Sequence, residues 1–268
     1  MDLILGFTKL FLFDFVGFVD SLNQTPVIFT WIFFLIFCLI VILFLLKFFG
    51  EVGMYIYTVI AIIGANIQVL KVVEFPFFSN PIALGTILFS STFLVTDILS
   101  EYYNSNLARK NILIGFISFL VMTIFMLFTI GFTPIGADSV GDDFSWAFAV
   151  QENLTAIFMP FPIFFSASMI AYLFSQYFDV WFYSFLLKII GRKFLWLRNN
   201  LTTMISGLLD NTIFSLFAWI IFNPNPLDFD TVLFTFILGT YVLRIIIAIF
   251  DTPFIYLAKY FLPNKTNE

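Results

Sequence analysis

Residues 109–137 read RKNILIGFISFLVMTIFMLFTIGFTPIGA, and this stretch decides the fold. A basic pair, Arg109 and Lys110, is followed by an uncharged and largely apolar run from Asn111 to Ala137. A helix needs about 20 mostly apolar residues to cross the roughly 30 Å hydrocarbon core of a bilayer. The stretch therefore predicts a transmembrane helix with a positively charged end.

Other apolar runs have the same character, and two of them contain isolated charges: Ser21–Leu46, Val52–Leu70, Phe75–Thr96, Asn153–Phe178, Asn199–Phe229 and Thr231–Ala258. We therefore predict an all-α membrane protein, a bundle of about seven transmembrane helices. The predicted spans lie near residues 27–49, 54–72, 82–103, 110–133, 163–188, 201–222 and 231–258. They form one integral membrane domain over residues 27–260, followed by a cytoplasmic tail at 261–268.

The composition supports this fold class and excludes several kinds of chemistry. Hydrophobic residues make up 61% of the chain and charged residues 11%, against about 25% charged residues in an average soluble domain. The chain has no histidine, which is the commonest general base and metal ligand. Its single cysteine, Cys38, lies within a predicted span, so no internal disulfide can form. We expect no enzyme activity, no metal, no cofactor and no nucleic-acid partner.

The N-terminal residues 1–26 are expected to form an amphipathic segment in the membrane interface. Apolar residues recur on one side of the stretch from Leu3 to Leu22 and polar residues lie elsewhere, a spacing that predicts one interfacial amphipathic helix. Asp2 stands where a signal peptide carries basic residues, so a cleaved signal is not predicted.

The distribution of basic residues predicts the orientation of the bundle. Nine of the twelve Lys and Arg residues fall after odd-numbered spans or in the tail: Lys47, Arg109, Lys110, Lys188, Arg192, Lys193, Arg198, Lys259 and Lys265. Acidic residues dominate the opposite loops, above all from Asp138 to Glu152. Because short basic loops stay in the cytoplasm, the N-terminus is expected outside and the C-terminus inside the cell.

Polar side chains at membrane depth are the candidate functional residues: Asn66, Gln68, Asp97, Glu101, Gln176, Asp179, Asp210 and Arg244. A charge at the centre of a transmembrane helix costs roughly 2.5–3.5 kcal/mol even on translocon scales, so such residues face the bundle interior and pair or bind. Asp210 and Arg244 carry opposite charges at similar depth and are expected to pair. Asp97 is expected at the ligand site or at its inner gate.

Each of these residues also has a purely structural interpretation. The Asp210–Arg244 pair could only fix helix packing, and Asn66 with Gln68 could be interhelical hydrogen-bond partners. Asp97 and Glu101, four residues apart on one helix face, could form a cytoplasmic latch with Arg109. The residues alone leave these alternatives open.

Several segments resemble the queuosine precursor transporter family, also called the vitamin uptake transporter family. The resemblance is carried by residues 65–71 (ANIQVLK), 88–103 (LFSSTFLVTDILSEYY), 108–110 (ARK), 195–200 (LWLRNN) and 251–254 (DTPF). It is similarly visible at Ala171-Tyr172, Ser175-Gln176, Asp179-Val180 and Asp210. It implies a six-helix core resembling the substrate-binding subunits of energy-coupling-factor transporters, with the first span as an N-terminal addition.

The chain departs from the pattern of the family at four places. Asn104-Ser105-Asn106 replaces the usual Gly-Lys-Lys, and Ser90 replaces a proline. Gly207 stands where the family usually has glutamine, and Arg244 where it usually has lysine. The change at Gly207 lies closest to the expected ligand and bears most on substrate identity.

The resemblance implies import of 7-deazaguanine precursors of queuosine, 7-cyano- or 7-aminomethyl-7-deazaguanine, across the bacterial cell (inner) membrane. A guanine-like edge suits carboxylate and amide partners, and aromatic rings can stack on its plane. The implied substrate-binding set is Asn66, Gln68, Asp97, Gln176, Asp179, Asp210 and Arg244, and the implied cytoplasmic gate is Glu101, Arg109, Arg198 and Asp251.

Two other classes of protein stay open at this point. One is the substrate-binding subunit of an ATP-driven vitamin importer, which needs a separate energy-coupling module as partner. The other is a membrane protein without transport activity. Homo-oligomer formation is also left open by the sequence.

Overall fold

The computed structural model describes residues 2–78, 81–136, 146–159 and 161–263. Its α-helices are α1 (Asp2–Phe11), α2 (Phe15–Asn23), α3 (Val27–Gln68), α4 (Thr86–Ile98), α5 (Ser105–Gly131), α6 (Trp146–Phe158), α7 (Phe161–Ile190), α8 (Leu195–Leu216), α9 (Phe229–Thr231) and α10 (Thr240–Phe261). Two short antiparallel strands, β1 (Val72–Val73) and β2 (Ile82–Ala83), lie between α3 and α4. The prediction of an all-α membrane protein is confirmed at the level of fold class.

By length and composition, four helical segments among the described residues can cross a membrane: Val27–Gln68, Ser105–Gly131, Arg192–Ile221 and Phe229–Phe261. The predicted span at 163–188 is helical as well, and the span at 82–103 is helical from Thr86 onward. Most predicted spans agree with the observed helices to within a few residues, because an apolar run and the polar residues that end it are local signals. The exact number of seven crossings stays a prediction.

Helix α3 folds back on itself at Gly50. This glycine has φ 56° and ψ −133°, a conformation that breaks the helix and that L side chains rarely adopt. A straight helix would separate Leu45 from Gly53 by about 12 Å. A Cβ on Gly53 would overlap the Leu45 carbonyl group. Residues 27–49 and 51–68 are therefore two antiparallel helices in close contact.

The surface and the interior divide as expected for a protein surrounded by lipid. Large apolar side chains are more than half exposed on the outside of the bundle, including Phe125, Phe128, Phe174 and Phe234. Buried positions hold many polar and charged groups in addition to the apolar core. This distribution is the opposite of that in a soluble protein, where charged groups cover the surface.

Three π-helical stretches extend or precede the long helices. Leu99–Tyr103 continues α4, Phe217–Ile221 continues α8, and Val232–Gly239 connects α9 to α10. Such stretches are rare and often occur at functional sites.

At the start of α9, the backbone N–H of Thr231 donates a hydrogen bond to Asp228, and this bond lowers the pKa of the Asp228 carboxyl group.

Three local predictions need correction. The N-terminal segment is not one helix but two, because Phe13 adopts a positive φ of 60° and Asp14 caps α2 by accepting a hydrogen bond from the Gly17 N–H. The turn predicted between the second and third spans contains the short strands β1 and β2. The end of the predicted acidic loop is helical, as α6, while its residues 137–145 lie outside the described residues.

The chain segments that carry most basic residues meet at one end of the bundle. The Lys47 Nζ lies 5.8 Å from the centre of the Phe261 ring, and the Lys110 Nζ lies 5.4 Å from that of the Tyr55 ring. The backbone N–H of Trp196 donates a hydrogen bond to the Tyr256 hydroxyl at 3.2 Å. The fold thus collects at one end segments that are far apart in the sequence.

Candidate functional site

Four helices, α4, α7, α8 and α10, enclose the polar interior of the bundle and contact one another. Their buried polar side chains form three successive layers along the bundle. We call these the cavity layer (Ser175, Asp210 and Arg244), the acid layer (Asp97, Asp179, Ser206 and Asp251) and the gate layer (Glu101, Tyr183 and Arg198).

The cavity layer is built around a buried ion pair. The Arg244 Nη2 donates a hydrogen bond to the Asp210 Oδ2 at 2.6 Å, and the Ser175 hydroxyl donates to the Asp210 Oδ1 at 3.0 Å. The predicted pairing of Asp210 with Arg244 is confirmed. The Arg244 Nε and Nη1 have no hydrogen-bond partner among the described residues. The pair therefore neutralises its own charges and still presents free donors.

A cavity of about 70 Å³ lies beside this ion pair. One wall is aromatic, because the rings of Trp219 and Phe236 stack at a centroid distance of 4.6 Å and an interplanar angle of 28°. Both rings come from π-helical stretches. Polar groups on the other walls include Asn66, Ser168 and Asn211. The cavity thus combines a flat apolar surface with donors and acceptors around it.

The acid layer contains three buried carboxyl groups. Asp97 on α4 and Asp179 on α7 are electrostatic neighbours, since hydrogen bonds from Thr96 to Gln176 and from Tyr183 to Glu101 join their segments on either side of them, and Asp251 on α10 also lies near Asp97. All three side chains are fully buried. The Ser206 hydroxyl on α8 is fully buried in the same layer and has no hydrogen-bond partner among the described residues. None of these carboxyl oxygens forms an ion pair or an ordinary hydrogen bond within the described parts of the chain.

The gate layer closes the basic end of the bundle. The Arg198 Nη2 lies 2.6 Å from the Glu101 Oε2, and the Tyr183 hydroxyl donates to the same oxygen at 2.8 Å. The Arg198 guanidinium also lies 5.4 Å from the centre of the Tyr183 ring and donates to the Gly191 carbonyl oxygen. These contacts join three elements from distant parts of the chain: the π-helical stretch Leu99–Tyr103, helix α7 and helix α8.

The three layers follow from a regular spacing along two helices. On α7, Ser175 belongs to the cavity layer, Asp179 to the acid layer and Tyr183 to the gate layer. On α8 the corresponding residues are 210, 206 and 198. Residues four apart lie on one helix face and about 6 Å apart along the axis. The acid layer is therefore about one helical turn from the cavity layer and one turn from the gate layer on α7.

Comparison with known proteins gives the family. Residues 83–258 match the family described as "Putative vitamin uptake transporter". This match covers more than half of the chain and includes every helix that contributes to the three layers. The chain belongs to this family.

A curated relative of this vitamin uptake transporter family member comes from Bacillus subtilis (strain 168) and is named "Probable queuosine precursor transporter". The two chains are 34% identical over 235 residues, which is 87% of this chain and 95% of the relative. The family expected from the sequence is confirmed: the chain is a membrane transporter of the queuosine precursor transporter family. No solved structure matches it, so the expected likeness to energy-coupling-factor subunits stays a prediction.

The predicted binding residues of this transporter do not all line the cavity. Asn66, Asp210 and Arg244 do. Asp97 and Asp179 form part of the acid layer instead. Two further predicted residues have other surroundings. Gln176 donates to the Thr92 hydroxyl at 2.7 Å and so joins α7 to α4, and Gln68 lines a separate cavity beneath α1 and α2.

The predicted gate residues separate in a similar way. Glu101 pairs with Arg198 rather than with Arg109, which is exposed on α5. The expected ion pair between Glu101 and Arg109 is therefore replaced by the ion pair between Glu101 and Arg198 on α8. Asp251 belongs to the acid layer. The Tyr102 hydroxyl, which the sequence analysis did not single out for this role, donates to the Ile255 carbonyl oxygen at 2.7 Å and ties the gate to α10.

Sequence reasoning missed four residues that line the transporter's cavity, Ser168, Asn211, Trp219 and Phe236, and it missed Ser175, which holds Asp210. A usable signal was present in α8, where polar residues recur at positions 198, 202, 206 and 210. This period of four marks an inward helix face. Trp219 and Phe236 gave no such signal, because aromatic residues are abundant throughout the chain.

Proposed function

We propose that this transporter imports 7-deazaguanine precursors of queuosine, 7-cyano- or 7-aminomethyl-7-deazaguanine. The observation that carries the proposal is the cavity in which the Asp210–Arg244 pair faces the stacked rings of Trp219 and Phe236. The name of the relative from Bacillus subtilis supports the same substrate class.

The cavity suits a flat heterocycle with a polar edge. A guanine-like edge presents an exocyclic amine and a ring N–H, both donors, beside a carbonyl acceptor. The Asp210 carboxylate has spare lone pairs for the two donors, and the free N–H groups of Arg244 can donate to the carbonyl. The plane of the ring would lie against Trp219, since flat rings stack favourably on indole.

The charge of the cavity favours a base over a nucleotide. Its two charged residues, Asp210 and Arg244, neutralise each other. A phosphate group would need an excess of positive charge, and among the residues that line the cavity only Arg244 is basic. The solute is therefore proposed to enter without a phosphate.

We further propose seven crossings, with the N-terminus outside and the C-terminus in the cytoplasm of a bacterial cell. The reversal at Gly50 supports two crossings within Val27–Gln68. The meeting of the basic segments at one end supports a cytoplasmic position for that end. With the gate layer closed there, this conformation would hold the cytoplasmic route shut.

The substrate proposal can be tested in bacteria that can neither make queuosine precursors nor import them. Expression of this chain should restore queuosine in tRNA when 7-cyano- or 7-aminomethyl-7-deazaguanine is added to the medium. The Arg244→Gln variant, expressed at the same level, should not restore it. Failure of the wild-type chain with both precursors, at normal expression, would overturn the proposal.

A further inference from the structure

We propose that the acid layer holds an exchangeable proton and that import is coupled to the passage of this proton into the cytoplasm. The inference rests on the transport function but not on the identity of the solute. It assigns a role to Asp97, Asp179 and Asp251, which the cavity does not use.

The first step is an inventory of buried charge. Buried carboxyl groups in the described part of the bundle belong to Asp97, Asp179, Asp210 and Asp251, and Glu101 is nearly buried. The buried cations of the same part are Arg198 and Arg244, and each is already paired, with Glu101 and Asp210 respectively. Three carboxyl groups are left without a cation.

The second step is the closeness of Asp97 to Asp179, which lie between the Thr96–Gln176 and Glu101–Tyr183 hydrogen bonds. Two neighbouring carboxylates repel each other strongly when both are ionised, and burial removes the water that would screen them. Neither accepts an ordinary hydrogen bond from a described residue. One proton between the two groups removes the repulsion and supplies the missing donor, as in other carboxyl pairs.

The described residues around the pair offer no other source of compensation. Around the pair, the facing titratable or charged groups are Tyr57 on α3, Glu101 after α4, Tyr183 on α7, Arg198 on α8 and Asp251 on α10. Arg198 is the only cation in this set, and Glu101 and Tyr183 hold it in the gate layer. The charged residues of α5, Arg109 and Lys110, are exposed.

The ligand of the acid layer is a proton rather than a metal ion. Within the described residues, no three acidic, cysteine or histidine side chains converge closely enough to hold a metal. The Ser206 hydroxyl, fully buried and without a hydrogen-bond partner among the described residues, adds a group that can pass a proton on. A single proton shared by two carboxyls needs no further ligands.

The position of the layer gives the proton a direction. It lies about one turn of α7 from Ser175 in the cavity layer and one turn from Tyr183 in the gate layer. A proton that arrives from the outside through the cavity layer would neutralise the Asp97–Asp179 pair. Opening of the Glu101–Arg198 gate would expose the pair to the cytoplasm, where the proton leaves and the carboxylate forms again.

The proton itself can be detected without any solute. Purified wild-type protein at neutral pH should show the infrared carbonyl stretch of a protonated carboxyl group. This band should shift in deuterated water and be lost or altered in Asp97→Asn and in Asp179→Asn. The exposed Asp230→Asn serves as the matched control and should leave the band unchanged. A wild-type spectrum without this band would overturn the inference.

Coupling is tested with the full chain in liposomes that contain a pH-sensitive dye. With 7-cyano-7-deazaguanine outside, the wild type should acidify the interior and accumulate solute when the outside is more acidic. Asp97→Asn should keep solute binding and solute exchange but lose both acidification and accumulation. Accumulation driven by a sodium gradient, or proton movement that persists in Asp97→Asn, would refute coupling through this layer. Absence of solute binding by the wild type would instead refute the proposed substrate. The infrared band would still test whether the acid layer holds a proton.

Discussion

Arg244 shows how one residue can hold the fold and serve the site. Its Nη2 is fixed by Asp210, while its Nε and Nη1 have no partner among the described residues and lie beside the cavity. Asp210 in turn is held by the Ser175 hydroxyl. A solute that accepts hydrogen bonds would complete this arrangement without disturbing it.

Loss of either partner of this pair should be more harmful than loss of both. Removing one partner leaves a buried charge uncompensated, which costs about 3–5 kcal/mol. We expect Asp210→Asn and Arg244→Gln each to abolish uptake and to lower the melting temperature of the purified protein. The double variant should melt at a higher temperature than either single variant but remain inactive. Single variants that melt and transport like the wild type would show that the pair contributes neither to stability nor to transport.

Trp219 should contribute to affinity through stacking. Replacing a side chain that stacks on a base with alanine costs about 1–3 kcal/mol, or roughly a five- to 150-fold weaker dissociation constant. Trp219→Ala should show this loss in a direct binding assay with 7-cyano-7-deazaguanine. The control is Trp181→Ala, because Trp181 is exposed on the outer face of α7. Equal effects of the two substitutions would argue against a ligand at Trp219.

At the scale of elements, the reversal in α3 depends on two glycines with different tasks. Gly50 supplies the backbone conformation of the turn, and Gly53 allows the following helix to approach Leu45. The paired helices then contribute Tyr57, which donates to or accepts from Ser91 on α4 at 2.7 Å. The reversal thereby positions the helix that carries Asp97.

Gly53→Ala should destabilise the protein because its Cβ has no room beside the Leu45 backbone. Forced overpacking typically costs about 1–3 kcal/mol, so the melting temperature and the yield of folded protein should fall. Gly131→Ala, whose Cβ would meet nothing within 4 Å, is the matched control and should behave as the wild type. A neutral Gly53→Ala would mean that the two halves of α3 are farther apart than described.

Local signals predicted the helices, whereas contacts between distant segments escaped prediction. The ends of α5 and α8 follow from apolar runs and basic residues that are adjacent in the sequence. The Asp210–Arg244 pair was predictable because opposite charges at one depth must compensate. The partner of Glu101 was not predictable from the sequence, since Arg109 and Arg198 were both available and only the packing of the helices selects Arg198. The closeness of Asp97 and Asp179 was also hidden, because no rule places like charges together.

At the scale of the whole molecule, the basic end and the three layers define one axis. The gate layer lies at the end where the basic segments meet, and β1, β2 and the N-terminal helices belong to segments on the other side of the cavity. Residues Ala83, Leu84, Gly85 and Thr86 line both the small cavity and the larger cavity of about 720 Å³ beneath α1 and α2. With the orientation proposed above, a solute from outside would approach past this segment.

Thiol labelling in intact cells tests the direction of this axis. The native Cys38 is buried and should give little background. A cysteine at the exposed Glu152 in α6 should react with an impermeant reagent in intact cells, because the segment from Asp138 to Glu152 is predicted to be external. A cysteine at the exposed Lys193 should react only after the membrane is opened. The reverse labelling pattern would invert the proposed orientation.

The four-residue spacing of α7 and α8 also restricts how this transporter can diverge. Each added or deleted residue rotates everything beyond it by about 100° around the helix axis. One insertion between Ser175 and Tyr183 would carry the polar groups that follow it out of the interior and toward lipid. Lineages can therefore exchange one inward side chain for another, but they cannot easily alter the length of these helices between positions 175 and 183 or between 198 and 210. Differences in chain length should accumulate instead in the connection between α5 and α7.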